Sequence, residues 1–166
     1  MVLGGRTVLL PAASGSGKST LACGLVRRGA GYLSDEMIGV AAESRVMPYP
    51  KAIALDAAAA ALFPDLATIA AAGELHALMP AASQFGPVEL IVSPCYEPGR
   101  AEPVVRQVDE RAALRLLLEN SMDFTGTGGA GFEIIGNLCK TVAVWQIVYG
   151  SLDDGCAAVE GLARSL

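Results

Sequence analysis

The N-terminal part of the chain predicts an α/β fold, a sheet flanked by helices, and three observations carry that expectation. Thr7-Val8-Leu9-Leu10 is a short β-prone run. Ala12-Ala13-Ser14-Gly15-Ser16-Gly17-Lys18-Ser19-Thr20 follows it, a Gly/Ser-rich turn that ends in Gly-Lys-Ser. Leu21, Leu25 and Val26 then form a helical stripe. Strand, glycine-rich loop and helix, in that order, are the context in which a phosphate-binding loop works.

The run from Ala12 fits the phosphate-loop pattern, a small residue, four of any kind, then Gly-Lys-Ser/Thr. Ala12 holds the first position, where Gly is commoner. Each residue type has a chemical reason. Gly15 and Gly17 let the backbone turn so that successive N–H groups of Ala13, Ser14, Gly15, Ser16 and Gly17 point into one concavity. Lys18 brings a point charge to the β and γ phosphates, and the Ser19 hydroxyl can ligate Mg²⁺. Ser19 and Thr20 open the helix, whose positive end adds to the attraction.

The remaining elements follow in order. Arg6 to Leu10 is expected as a buried strand, and Lys18 to Arg28 as a helix stopped by Gly29. Tyr32-Leu33-Ser34 reads as a second strand, ending in Asp35-Glu36. Met37 to Ala42 and Arg45 to Met47 suit a hairpin around Ala42-Glu43-Ser44. Ala57 to Leu62 is a short helix by propensity. Val88 to Val92 is a strand closed by Pro94, and Pro94 to Pro103 a loop. Asp109 is placed to cap a helix from Glu110 to about Met122. The four glycines between Thr125 and Gly131 suggest a mobile loop. Thr141 to Tyr149 is a late strand, and Asp153 is placed to cap a final helix to about Arg164.

Composition narrows the class. The 166 residues suit one domain, residues 1–166, with 52% apolar and 17% charged residues, a globular balance. A net charge of −5 argues against a nucleic-acid or anionic-membrane surface. No run reaches the roughly 18–20 uncharged apolar residues of a membrane span. The apolar run from Thr7 leads straight into the loop and does not read as a signal peptide, so a cytoplasmic location, with ATP and Mg²⁺ at hand, is expected. Cys23, Cys95, Cys139 and Cys156 lack zinc-ligand spacing and are read as small core hydrophobes, and His76, the single histidine, as structural. A second copy of the chain, met through leucine and valine faces of the last helix, is a further possible partner.

Asp35-Glu36 follows Lys18 by only 17 residues. In most phosphate-loop enzymes the metal-binding acid comes much later. Here the element after the loop helix is expected to return to the sheet, where strand ends and ligands share one edge. The pair is then expected to face the γ-phosphate. One carboxylate would hold Mg²⁺ and the other would take a proton from an attacking hydroxyl.

With Gly17-Lys18-Ser19-Thr20, Arg28-Gly29 and Leu33-Ser34-Asp35-Glu36 in one register, the chain resembles the catalytic domain of HPr kinase/phosphorylase and the HPr-kinase-related proteins. Tyr49-Pro50-Lys51 with Ile53 and Leu55 is similar to a Pro-Lys-Pro-x-x-Leu stretch of the related group. The resemblance implies a phosphate-loop NTPase-like sheet akin to phosphoenolpyruvate carboxykinase. It implies ATP- and Mg²⁺-dependent phosphorylation of a serine on a small protein or peptide, as in kinases of peptide natural-product pathways. Lys18 would hold the phosphates and Ser19 the metal. Asp35 would engage the acceptor hydroxyl, and Glu36 would assist the metal. The family's Glu-Val-Arg-Gly signature, tied to phosphorolysis, has no counterpart here. Two other readings stay open. One is a nucleotide-binding regulatory module without transfer. The other is a small-molecule hydroxyl kinase, although no arginine-rich lid is evident.

Overall fold

Two glycines decide the first feature of the fold. Gly4 and Gly5 both take left-handed backbone angles, φ 57° and 87°, which a tight hairpin turn requires. They fold β1 (Val2–Leu3) back on β2 (Arg6–Leu9) as an antiparallel pair. The computed structural model describes residues 1–66, 68–71, 74–77, 79–122 and 124–166, and the side chains of 1–66, 77, 79–122 and 129–166.

The chain continues through α1 (Lys18–Arg27), β3 (Gly39–Val40), a 3₁₀ turn at Ala42–Ser44, β4 (Val46–Met47), β5 (Ile53–Leu55) and α2 (Ala57–Ala61). Then come β6 (Thr68–Ala71), β7 (Glu74–Ala77), β8 (Val88–Tyr96), β9 (Val104–Gln107), α3 (Glu110–Glu119), α4 (Phe124–Thr141), β10 (Ala143–Tyr149) and α5 (Leu152–Arg164). The main sheet has five strands in the order β1-β2-β8-β10-β9. Its middle strands β2, β8 and β10 run parallel, and the outer strands β1 and β9 antiparallel. β5, β7 and β6 make a small antiparallel sheet, and β3 with β4 a two-stranded ribbon. The fold is therefore mixed α/β, with helices flanking a mixed sheet.

β8 explains the layering. Leu90, Ile91 and Val92 are all completely buried, the continuous apolar run of a strand covered on both faces. Leu90 and Val92 join a core with Leu21 and Leu25 of α1 and Cys156 and Val159 of α5. Ile91 points the other way, into a core with Ala113 and Leu117 of α3 and Leu138 of α4. Ile147 of β10 is fully buried in the first core. Ile147→Ala is expected to cost about 2–5 kcal/mol, from lost burial and the cavity left behind. Urea unfolding checks this, and a shift of only a few tenths would show that the core can close over the gap.

Several helix ends agree with their sequence signals. α1 stops at Gly29, whose φ of 98° lets its N–H reach Val26 and that of Ala30 reach Leu25. Asp109 caps α3 by accepting from the Ala112 N–H at 2.8 Å. The hairpin around Ala42-Glu43-Ser44 forms as expected.

Other expectations need correction. Tyr32-Leu33-Ser34 is not a strand of the main sheet. β1 already occupies the free edge of β2, and among the described residues this segment makes single bridges, Gly31 to Val2 and Tyr32 to Ala81. Pro94 does not end β8, which runs on to Tyr96 beside β10. β9 forms just past the expected loop, over residues for which the sequence predicts no element. Thr125 to Gly131 lies within α4, where the following apolar face packs on the sheet and outweighs glycine propensity. α3 stops at Glu119, short of Met122. Ser151, not Asp153, caps α5. Val159 and Leu162 of α5 are buried in the chain's own core, so that helix lacks the expected face for a second copy. Among the described residues no helix is long and apolar enough to cross a membrane.

Candidate functional site

β2, β8 and β10 all point their carboxyl ends at one edge of the sheet, where α/β proteins place ligands. The loop from Ala13 to Gly17 crosses that edge between β2 and α1. Gly15 and Gly17 take φ values of 79° and 84°, the left-handed angles that the sequence pattern calls for. Ala13, Ser14 and Gly15 form an exposed arch, closed by a Ser16 N–H bond to the Ala13 carbonyl at 3.3 Å.

Two tyrosines at strand ends brace the arch. The Tyr96 N–H donates to the Ser16 carbonyl at 2.9 Å. The Tyr149 hydroxyl donates to the Gly17 carbonyl at 3.5 Å, and burial raises its phenol above the ordinary tyrosine range. A methyl group at Gly17 would sit 2.9 Å from the Tyr96 Cβ and 3.0 Å from the Tyr149 hydroxyl, so packing as well as backbone angle demands glycine there. Sequence reasoning missed both tyrosines, because their role depends on strand ends meeting far along the chain.

Gly17 is also the N-cap of α1, and no side chain caps this helix. The N–H groups of Lys18, Ser19 and Thr20 are the orphan donors of its first turn, aligned with the positive end of the helix dipole. Lys18 donates to the Asp35 backbone carbonyl at 2.7 Å, and its ammonium lies 3.7 Å from Asp35 Oδ1. An ammonium has three protons, so two remain for other acceptors. Ser19 Oγ donates to Asp35 Oδ2 at 3.0 Å. The sequence expected Lys18, Ser19 and Asp35 in one place, and the structure brings them together. The carrier differs from expectation, since a bend rather than a sheet strand delivers Asp35.

Asp35 is the most buried charge of the site, its side chain only 6% exposed. Its surroundings register that charge. Burial first, and then Asp35, push the Cys23 thiol up to about 12. The same two causes raise the Tyr32 phenol. Asp35 Oδ1 and Ser16 Oγ are buried and take no hydrogen bond among the described residues. Buried polar atoms are ordinarily paired, so these two oxygens mark places for further partners.

Glu36 lies further out and is bonded by Lys51, the residue that completes the charge cluster. This bond holds the Glu36 carboxyl below its ordinary range, with a smaller contribution from Lys18, and raises the Lys51 ammonium. Tyr32 fixes the Lys51 backbone by donating to its carbonyl at 2.9 Å. Two cations and two anions therefore interlock at the mouth of the loop. The Lys51 role had only a weak sequence signal, a lysine between Pro50 and the β5 run.

A cavity of about 650 Å³ opens beside Lys18, Asp35 and Glu36 and runs between α3, α4 and the β3–β4 ribbon. The cysteines are all free, with Cys23 and Cys156 buried and Cys95 exposed, so Cys95 departs from the core role expected of it. The His76 side chain lies outside the described residues. Among the described residues no group of three or more His, Cys, Asp or Glu is placed to hold a metal. Comparison with protein-family models, with curated proteins and with solved structures returns no match.

Proposed function

We propose that the chain is a phosphate-loop NTPase-like kinase, which transfers the γ-phosphate of ATP to a serine hydroxyl of a peptide or small protein. The observation that supports this most is the convergence of Lys18 Nζ, Ser19 Oγ and the Asp35 carboxylate at an uncapped helix N-terminus. The loop N–H groups and Lys18 bind the phosphates. Ser19, Asp35 and Glu36 are the oxygen donors that would hold Mg²⁺, and Asp35 Oδ1, which takes no hydrogen bond among the described residues, fits a hard, oxygen-seeking cation. The metal would supply neutralisation of the charge that develops on the phosphate oxygens.

Asp35 has a second duty in this reading. Its carboxylate accepts the proton of the acceptor serine as that oxygen bonds to the γ-phosphorus. The bond between the γ-phosphorus and the bridging oxygen breaks, and ADP leaves with that electron pair. Burial of Asp35 and the apolar walls beside it keep water from competing for the phosphoryl group. The Lys51–Glu36 pair sets the outer boundary of the charged region.

γ-Labelled ATP with Mg²⁺ and a pool of serine-containing peptides tests the reading. Label is expected on phosphoserine. Label recovered on a small hydroxyl compound would replace the peptide acceptor with a small molecule. Nucleotide binding with no labelled product would leave a regulatory nucleotide-binding module.

A further inference from the structure

The acceptor side of the cavity differs sharply from the loop side. Among the described residues its charged lining is confined to Lys18, Asp35 and Glu36 at one end. Ile134 and Leu138 of α4 line the far wall. The rim carries Met37, Met47, Tyr49 and Met122, which are 45%, 58%, 56% and 68% exposed. Large apolar side chains left in water around one opening mark a binding surface more than a packing accident. Methionines suit such a surface because their flexible thioethers adapt to different partners. The volume of about 650 Å³ lies inside the range of about 300–1,000 Å³ usual for ligand sites.

One wall points to a peptide. Gly39, Val40 and Met47 line the cavity and belong to the β3–β4 ribbon. Among the described residues this ribbon pairs with no third strand. Its free edges offer backbone N–H and C=O groups that an extended peptide can bond, while alternate side chains enter the pocket beside it.

The geometry points to an acceptor serine flanked by large apolar residues, its hydroxyl at Asp35 and its neighbours inside the methionine-rimmed cavity. This rests on the kinase reading and specifies its substrate. Among the described residues the lining holds no cationic side chain beyond Lys18 and no acid beyond Asp35 and Glu36, so those walls offer charged flanks no partner. Desolvating an aspartate or lysine there would be costly.

Synthetic peptides with one serine between leucines, and matched sets with aspartate, lysine or glycine in their place, test it. Transfer from Mg-ATP is followed by mass spectrometry, and binding to the Mg-ADP form by fluorescence anisotropy. The leucine-flanked set is expected to lead in kcat/KM by about tenfold or more. The double variant Met47→Asp, Met122→Asp is expected to raise KM for that set about tenfold with kcat kept, and both sites are exposed enough to tolerate the change. A Mg-ATP titration of the variant controls for folding. Equal kcat/KM for all flanks, or no binding of the leucine set, overturns the inference. Binding of that set without transfer overturns the kinase reading and keeps the ligand class of the cavity. Phosphorylation of 1-octanol but of no peptide overturns the peptide as occupant.

Discussion

Lys18→Ala is expected to weaken Mg-ATP binding by about ten- to a hundredfold. The loss is that of charge-assisted hydrogen bonds from one ammonium to phosphate oxygens, about 1.5–3 kcal/mol in typical cases. Calorimetric titration of wild type and variant measures it directly. The variant also removes the cation 3.7 Å from Asp35 Oδ1, so its unfolding curve must be compared at the same pH. An affinity equal to wild type would show that Lys18 does not touch the nucleotide, and the phosphate-loop reading would fall. Absence of binding by wild type itself would remove the site as a nucleotide site in the isolated chain.

Asp35→Asn is expected to separate binding from transfer. Asparagine keeps the shape of the side chain and can still accept the Ser19 hydroxyl, which lies 3.0 Å from Oδ2. It cannot take a proton from an acceptor hydroxyl. Transfer is expected to fall by about 10²–10⁴-fold, the usual worth of a positioned base. Single-turnover transfer with Mg-ATP preloaded measures the chemical step apart from affinity. Unchanged turnover would remove Asp35 from the proton path. A large loss of Mg-ATP affinity with little further loss in the chemical step would assign Asp35 to the metal alone.

What the sequence made legible was local. The glycine pattern, Lys18 and Ser19 lie within one turn of backbone, so their proximity needed no tertiary knowledge. The Gly29 stop and the Asp109 cap are also local devices, and both form as their residue types suggest. Val88 to Val92 was legible as a strand because its own residues are mostly apolar and β-branched. The larger misreadings share one cause, competition from distant segments. β1 took the edge of β2 that Tyr32-Leu33-Ser34 was expected to join. Pairing with β10 carried β8 past Pro94. The packed stretch around Leu138 drew a glycine-rich stretch into α4. At the site, Tyr96 and Tyr149 escaped notice because nothing near them in sequence announces the partners they meet, and Lys51 stands in a Pro-Lys stretch that does not point to Glu36.

The Tyr149 contact with Gly17 also has a consequence for the order in which the chain matures. The loop leaves the ribosome before its two braces, Tyr96 and Tyr149, which come from far later in the chain. β2 must wait for β8, and β8 for β10, pairings of long sequence separation that form slowly. Until the last strand docks, a nascent chain carries the whole motif yet holds it with only part of its support. Competence to grip a phosphate therefore waits until β10 has docked, and a copy that stops short of that step is a poor competitor for nucleotide.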